Sequence, residues 1–406
     1  MAVGLNALPS LLSVPGIRLG TVCAGIKKPD QRDLVVIELE AGARCAGVFT
    51  RNAFCAAPVV LAKRHLMHHA PRYLLINTGN ANAGTGDKGL IDALACCQAL
   101  AACVGVETEQ VLPFSTGVIG EPLPVNTIVD ALPTAYRALT ADGWRDAAHG
   151  IMTTDTAAKG LSRQIEIAGQ MITVTGIAKG AGMIRPDMAT MLAFIAMDAK
   201  LSSPLLQQCL TSAVQASFNS ITVDGDTSTN DACMLIATGR SALPEIAGAE
   251  DPAFIELSQA ITEICIGLAQ AIIRDGEGAT KFITIEVQGG VDEDECRHAA
   301  FSIAHSPLVK TAFFASDPNW GRILAAVGRA GIANLEVERV NIFLEDICIV
   351  ENGARAPAYR EEQGRQVMGQ EEITVRVDLG RGAGHARVWT CDLSYNYIRI
   401  NAEYRT

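Results

Sequence analysis

"KGAGMIRPDMATMLAFIAMDA", residues 179–199, joins two unlike kinds of chain. Gly180, Gly182 and Pro186 mark a loop, and Met188 to Met197 is an apolar run. Thr190 stands at the junction, between Ala189 and Met191. As a β-branched residue entering a strand it fits a buried sheet and needs no further account. A second reading is chemical. A hydroxyl is a poor nucleophile without a base beside it, and no histidine lies within forty residues of Thr190. A cut of the Ala189–Thr190 bond would create one, because the new α-amine, with an ordinary pKa of about 8, adjoins its own Oγ. The hydroxyl can make that cut itself. It attacks the preceding carbonyl, an ester forms by N→O acyl shift, and water releases it. The small Ala189 leaves the carbonyl accessible, and the upstream glycines tolerate a strained backbone. The residues alone leave both readings open, the strand residue being the simpler.

Outward from this stretch, strand-like runs lie at 33–40, 73–77, 164–176 (a hairpin about a glycine), 190–199, 232–239, 281–289, 340–350 and 373–393. The last, "ITVRVDLGRGAGHARVWTCDL", reads as a hairpin with a glycine-rich tip. Helical periodicity occupies 90–104, 204–217, 253–274 and 306–315. Hairpins and uneven gaps predict an α+β fold with mainly antiparallel sheet, without regular βαβ repeats. A boundary is expected near 285–300, where "GGVDEDECRH" is acidic and glycine-marked, giving domains of about 1–285 and 286–406.

The 406 residues are 49% hydrophobic and 19% charged, a globular composition with a large core. Aromatic residues are only 5%, so that core is aliphatic. A net charge of −11 argues against nucleic acid or an anionic membrane as partner. Twelve cysteines occur without a C-x-x-C, mostly in apolar segments such as "ALACCQALAACVGV", and read as buried free thiols in a reducing compartment. "KRHLMHH" (63–69) has no second ligand cluster and reads as a solvated helix end, so no metal site is expected. The proline-broken apolar start has no basic region of a signal peptide, and no other run approaches a spanning length. A cytoplasmic protein is expected.

Two motifs need weighing. "GTGDKG" (84–89) has the G-x-G-x-x-G form between strand 73–77 and helix 90–104. A dinucleotide fold needs an immediate tight turn there, but polar "NTGNANAG" intervenes and no acidic residue closes a second strand at the right distance. "DGDTSTND" (224–231) begins like a calcium loop, but Thr229 replaces the required glycine and Leu235 the bidentate glutamate.

The words around Thr190 resemble the signature of the ornithine acetyltransferase family, the glutamate N-acetyltransferases of arginine biosynthesis. The resemblance runs over nearly the whole chain, through "AGVFTRNAFCAAPV" (46–59), "INTGNANAGTG" (76–86), "STGVIG" (115–120) and "IMTTDT" (151–156). It continues through "DGDTSTND", "RDGEGATKF" (274–282), "KTAFFASDPNWGR" (310–322) and "YNYIRINAEYRT" (395–406). It implies that Thr190 is the nucleophile, that Ala189–Thr190 is cut, and that Thr116 and Gly117 form the oxyanion hole. It further implies that Thr153, Lys179, Thr190, Glu277, Asn401 and Thr406 bind substrate. Lys179 suits a carboxylate and Glu277 an ammonium group, as an amino-acid substrate requires. Val223, Glu403 and Arg405 depart mildly from the family pattern and bear on substrate preference.

The resemblance implies a layered αββα-type sandwich with a smaller C-terminal α+β domain. It also implies α (1–189) and β (190–406) chains, two of each in a heterotetramer. The expected reaction is a ping-pong transfer from N²-acetylornithine to glutamate, with no cofactor and with acetyl-CoA left open as a second donor. The rivals are an N-terminal-nucleophile amidase or aminopeptidase on the same scaffold, and an uncut dinucleotide-binding module using Gly84–Gly89.

Overall fold

The computed structural model describes residues 2–27, 30–185 and 191–403. Ala189, Thr190 and Thr406 lie outside the described residues. The chain divides into two compact units. The larger comprises Asn6–Asn219 and Asp226–Ile272; the smaller comprises Ser220–Gly225 and the chain from Ile273 onward, with the N-terminal residues up to Leu5.

In chain order the larger unit carries β1 (Ile17–Val22), β2 (Leu34–Leu39), β3 (Arg44–Phe49), α1 (Ala57–His68), β4 (Tyr73–Asn80) and α2 (Gly86–Val104). It continues with β5 (Val111–Val118), α3 (Val125–Arg137), α4 (Trp144–Gly150), β6 (Lys159–Ile167), β7 (Gln170–Lys179), β8 (Leu192–Met197) and α5 (Ser203–Ala216). After β9 (Ile221–Thr222), a strand of the smaller unit, come β10 (Ala232–Ala237) and α6 (Pro252–Arg274).

Two sheets form, ordered β1-β2-β4-β5 and β3-β10-β8-β7-β6. The period of two along β2 shows how they stack. Val35, Ile37 and Leu39 meet Phe194 and Ala196 of β8 and Met234 and Ile236 of β10 between the sheets. Leu34 and Val36 face the other way, against Cys97 and Leu100 of α2 and Ile128 and Leu132 of α3. On the far side α5 lies over β3 and β10. A Cβ added to Gly176 of β7 would come within 3.1 Å of Leu268 and 3.4 Å of Ile264 on α6. The order is helix, sheet, sheet, helix, as expected. β8, covered on both faces, is buried at every position, which is why its sequence runs apolar without alternation. Helix α6 is long and apolar enough to cross a membrane by length and composition, but its Ile264 and Leu268 side chains pack on the sheet.

The smaller unit adds β11 (Phe282–Gly290), α7 (Glu293–Ala304), α8 (Pro307–Phe314), α9 (Trp320–Gly328), β12 (Asn341–Leu344), β13 (Ile347–Glu351) and β14 (Ala354–Arg355). It ends with α10 (Glu361–Met368), β15 (Glu372–Asp378), β16 (Gly384–Cys391) and α11 (Tyr395–Ala402). Its sheet is ordered β14-β13-β12-β15-β11-β16-β9, with Ile283, Ile285 and Val287 of β11 packed on Ala299, Ala300 and Ile303 of α7.

The structure corrects three details. The run 340–350 is two strands, because Glu345 turns the chain with φ 50°. The expected boundary near 285–300 falls inside the smaller unit, since β11 is an interior strand of its sheet. The segment 373–393 is not a hairpin: β11 lies between its arms, parallel to β15 and antiparallel to β16. The glycines there serve a crossing. The N–H groups of Arg381 and Gly382 donate to Gly289 O at 2.7 and 2.9 Å as the loop passes over the end of β11. A Cβ on Gly384 would stand 2.2 Å from Asp292 O. Gly384→Ala should therefore cost about 1–3 kcal/mol as an overpacked site, read as a lower denaturation midpoint. Gly248→Ala, with open space around its Cβ, should leave the midpoint unchanged; equal midpoints for both variants would contradict the crossing.

Candidate active site

β4 and β5 run parallel, and their register breaks at Gly79 and Asn80, opposite Thr116 and Gly117. Gly117 has φ 138°, and a Cβ there would lie 2.3 Å from Gly79 C and 2.5 Å from Asn80 N. Only glycine fits so close to another main chain in that conformation. Thr116 is buried beside it.

Lys179 ends β7. Eleven residues before Thr190 in sequence, it is brought back by the β7–β8 register, which sets Lys179 opposite Leu192. Its side chain is buried, and Nζ donates to Thr116 Oγ1 at 3.3 Å. Loop 228–231 docks onto the same place, with Asn230 Nδ2 donating to Ser115 O at 2.9 Å and to Ala81 O at 2.5 Å. The next residue, Asp231, is fully buried and accepts the Met191 N–H at 3.0 Å through Oδ1. The end of β5, the end of β7, the start of β8 and this loop thus converge.

Thr153 enters through a second acid. Asp155 Oδ2 accepts the Thr153 N–H at 2.9 Å, and Oδ1 accepts the Gly180 N–H at 2.7 Å and Lys159 Nζ at 2.6 Å. Burial opposes ionisation of Asp155, but the Lys159 and Lys179 charges, with the Lys159 and Thr153 hydrogen bonds, hold its carboxyl well below the usual range. Lys27 adds a further cation nearby: its Nζ donates to Met152 O at 2.5 Å, and burial, with Lys179 beside it, lowers its pKa. For Asp231 burial wins. Its carboxyl is pushed well above the ordinary value despite the Met191 N–H, the Ser228 hydroxyl and the Lys179 charge.

In the smaller unit, Asn401 Nδ2 donates to Glu277 Oε2 at 2.8 Å. The loop bearing Glu277 is fixed by Ser394 Oγ, which donates to Gly278 O at 2.6 Å and accepts the Asn396 N–H at the start of α11. Gly278, at φ 71°, has no room for a Cβ, which would stand 2.5 Å from Tyr397 N. Thr116, Gly117, Thr153 and Lys179 thus form one group and Glu277 with Asn401 another, each inside its own unit. The roles expected of Ala189, Thr190 and Thr406 fall outside the described residues.

Sequence reasoning missed Asp155, Asp231 and Lys27. A trace of the acids was visible: each is a lone carboxylate in a short word of small uncharged residues, "IMTTDT" and "TSTND". "GTGDKG" takes its glycines for another purpose. A Cβ on Gly89 would strike Thr85 Oγ1 at 2.0 Å and Asn82 Oδ1 at 2.6 Å, and Asn82 Nδ2 donates to Gly89 O at 2.9 Å. Gly89 thus serves the close packing of Asn82 and Thr85 against the start of α2. Within "KRHLMHH", His65 is buried, with Nδ1 2.8 Å from Val111 O, so that segment is only partly a solvated end.

Comparison with known proteins gives the family. The ArgJ family matches residues 18–406. The chain is 59% identical over all 406 residues, and over the whole of the relative, to the arginine biosynthesis bifunctional protein ArgJ of Pseudomonas fluorescens (strain Pf0-1). It is 59% identical over 397 residues, 98% of this chain and 97% of the relative, to that of Methylococcus capsulatus. Among solved structures, the argJ protein of Bacillus halodurans is 37% identical over 51% of this chain and 96% of its own, with a TM-score of 0.49. The ornithine acetyltransferase of Mycobacterium tuberculosis, complexed with ornithine, is 32% identical over 44% of this chain and 96% of its own, with a TM-score of 0.39. The chain is a member of the ArgJ family.

Proposed function

We propose that this chain transfers the acetyl group of N²-acetyl-L-ornithine to L-glutamate through an acetyl ester on Thr190. Full-length kinship with proteins named as bifunctional in arginine biosynthesis supports the pathway. The observation that carries the chemistry is the meeting of Lys179 Nζ with Thr116 Oγ1, beside Gly117, with Lys179 opposite Leu192, a residue two after Thr190 in sequence. Thr190 Oγ attacks the acetyl carbonyl, and its own α-amine takes the hydroxyl proton. Thr116 and Gly117 receive the developing oxyanion; one such donor lowers the barrier by roughly 3–4 kcal/mol. The α-ammonium then protonates the departing ornithine amine. Glutamate reverses the sequence and leaves as N-acetylglutamate.

Lys179 takes the carboxylate of either amino acid, and Glu277, oriented by Asn401, takes an ammonium group. A cation that holds the carboxylate selects an amino acid over water, which favours transfer over the amidase reading. A thioester could charge the same threonine, so a steady-state assay with acetyl-CoA and glutamate decides whether acetyl-CoA is a second donor. The same reading assigns the cut chains to a tetramer of two α and two β chains. It places the enzyme in the cytoplasm, in keeping with twelve unpaired cysteines.

Denaturing mass spectrometry should find chains of 189 and 217 residues, the second beginning Thr-Met-Leu. Thr190→Ala should stay uncut and inactive, whereas Thr190→Ser, which keeps a hydroxyl, should still be cut. An active preparation of uncut chain would sink the proposal. Lys179→Ala, losing a charge-assisted contact of about 1.5–3 kcal/mol, should lower kcat/KM for acetylornithine and for glutamate by roughly 10- to 100-fold each. Unchanged turnover would remove Lys179 from the site. Deleting residues 401–406, which abolishes the Asn401–Glu277 bond, should leave cutting intact and acetyl transfer markedly reduced. A fully active truncated enzyme would show the tail to be ordinary surface.

A further inference from the structure

The transfer described above uses one cation of the larger unit, Lys179, and leaves a second, Lys27, without a task. Lys27 lies between β1 and β2, on a turn of chain pinned by a single acid. Asp33 is 0% exposed and commits both carboxylate oxygens to that turn. Its Oδ1 accepts the Ala24 N–H at 2.6 Å, and Oδ2 accepts those of Gly25, Ile26 and Lys27 at 3.1, 2.6 and 3.2 Å. The Asp33 main chain is held in turn, its N–H by Val22 O at 3.1 Å and its carbonyl by the Thr78 N–H at 2.9 Å. Four successive amides gathered on one buried carboxylate fix the place from which the Lys27 side chain starts.

The lysine stem then crosses Gly79. A Cβ at Gly79, whose φ is 100°, would stand 2.5 Å from Lys27 Cγ, so the stem lies directly on the Gly79 main chain. Gly79 is also the residue whose carbonyl carbon would meet a Cβ on Gly117 at 2.3 Å. Lys27 is thereby laid against the strand pair that carries Thr116 and Gly117. At its far end Nζ donates to Met152 O at 2.5 Å, next in sequence to Thr153. An ammonium group has three N–H donors. Among the described residues Met152 O takes one of them, and Asp155, whose charge Lys27 feels, has its oxygens on Thr153, Gly180 and Lys159. The other donors of this partly buried cation remain for a ligand.

The two amino acids of the reaction differ in the respect that a second cation senses. N²-acetylornithine carries one carboxylate and a side-chain ammonium group; glutamate carries two carboxylates. Four C–C bonds of about 1.5 Å separate the carboxyl carbons of glutamate, which therefore stand at most roughly 5 Å apart. Lys27 and Lys179 are close enough to repel: burial lowers the Lys27 pKa, and the Lys179 charge lowers it further against the pull of Asp33 and Asp155. A dianion relieves that repulsion, whereas a ligand with a single carboxylate leaves one cation uncompensated. We propose that Lys27 is the specificity-determining residue for the acceptor: its remaining N–H donors hold the side-chain carboxylate of glutamate while Lys179 holds the α-carboxylate. N²-acetylornithine engages Lys179 alone. This inference rests on the acetyl transfer proposed above and names what selects its second substrate.

The test uses the full-length enzyme carrying Lys27→Met, which keeps a stem over Gly79, or Lys27→Gln, which also keeps an N–H donor. Each variant is scored for melting temperature and for kcat/KM toward N²-acetylornithine, glutamate and glutamine, the uncharged counterpart of glutamate. In a ping-pong reaction the donor and acceptor values report separate half-reactions, so a defect confined to acceptor binding shows in one alone. Loss of a charge-assisted contact costs roughly 10- to 100-fold, and kcat/KM for glutamate should fall by that factor in both variants. The value for N²-acetylornithine should stay within about twofold, unlike in Lys179→Ala, because its binding does not use Lys27. The preference for glutamate over glutamine should shrink by the same factor as the glutamate value. A purely structural Lys27 would lower both half-reactions together, so equal losses overturn the proposal, as does a glutamate-to-glutamine ratio that survives unchanged. Lys27→Gln decides between these outcomes even if Lys27→Met fails to fold. An unaltered enzyme that does not use glutamate as acceptor would overturn the transfer reading itself, a failure seen before either variant is made.

Discussion

Lys179 and Leu192 are partners in the antiparallel register of β7 and β8. That pairing converts thirteen residues of chain separation into spatial adjacency, and the Lys179 side chain reaches inward to Thr116. Strand side chains alternate faces, so a slip of one residue would carry the lysine to the opposite face of the sheet. It would also move Met191 away from Asp231. The register is secured on both sides. β6 pairs with β7 from Gln170 to Ala178, and β10 runs parallel to β8 from Ala232 opposite Leu192. The covering layers exist to make this pairing unambiguous, since every residue of β8 is buried.

A buried lysine is costly unless charges and dipoles compensate it. Here the compensation differs on its two sides. Asp155 is held ionised by Lys159 and Lys179 and braces the backbone at Thr153 and Gly180. Asp231 is held toward its neutral form by burial and braces Met191. Two acids of identical intrinsic strength are thus separated by environment alone, one with two cationic neighbours and the other with one more weakly felt. A site that must handle protons on an amine, a hydroxyl and an incoming amino acid has use for both states.

The fold was legible where periodicity was local. The hairpin 164–176 and the strands 33–40, 73–77, 190–199 and 232–239 announced themselves by composition, and they are elements of the two stacked sheets. Order across a sheet was not legible, because β11 enters between β15 and β16 from far upstream. The glycines of 380–384 looked like a hairpin tip when they allow a crossing over β11. The contacts of Thr116, Gly117 and Lys179 were reachable only through family resemblance, since a lysine and an "STG" turn look ordinary in isolation. Asp155 and Asp231 escaped because their meaning lies in burial and partners, which a local reading of sequence does not contain.

The central claim is that the acetyl group resides on Thr190 between donor and acceptor. The direct measurement is rapid-quench intact mass spectrometry of the enzyme mixed with N²-acetylornithine before glutamate is added. The account predicts one acetyl group on the first residue of the 217-residue chain, formed together with a burst of ornithine equal to the enzyme and discharged when glutamate arrives. Turnover with no acetylated chain at any time, and ornithine released only when glutamate is present, would contradict it.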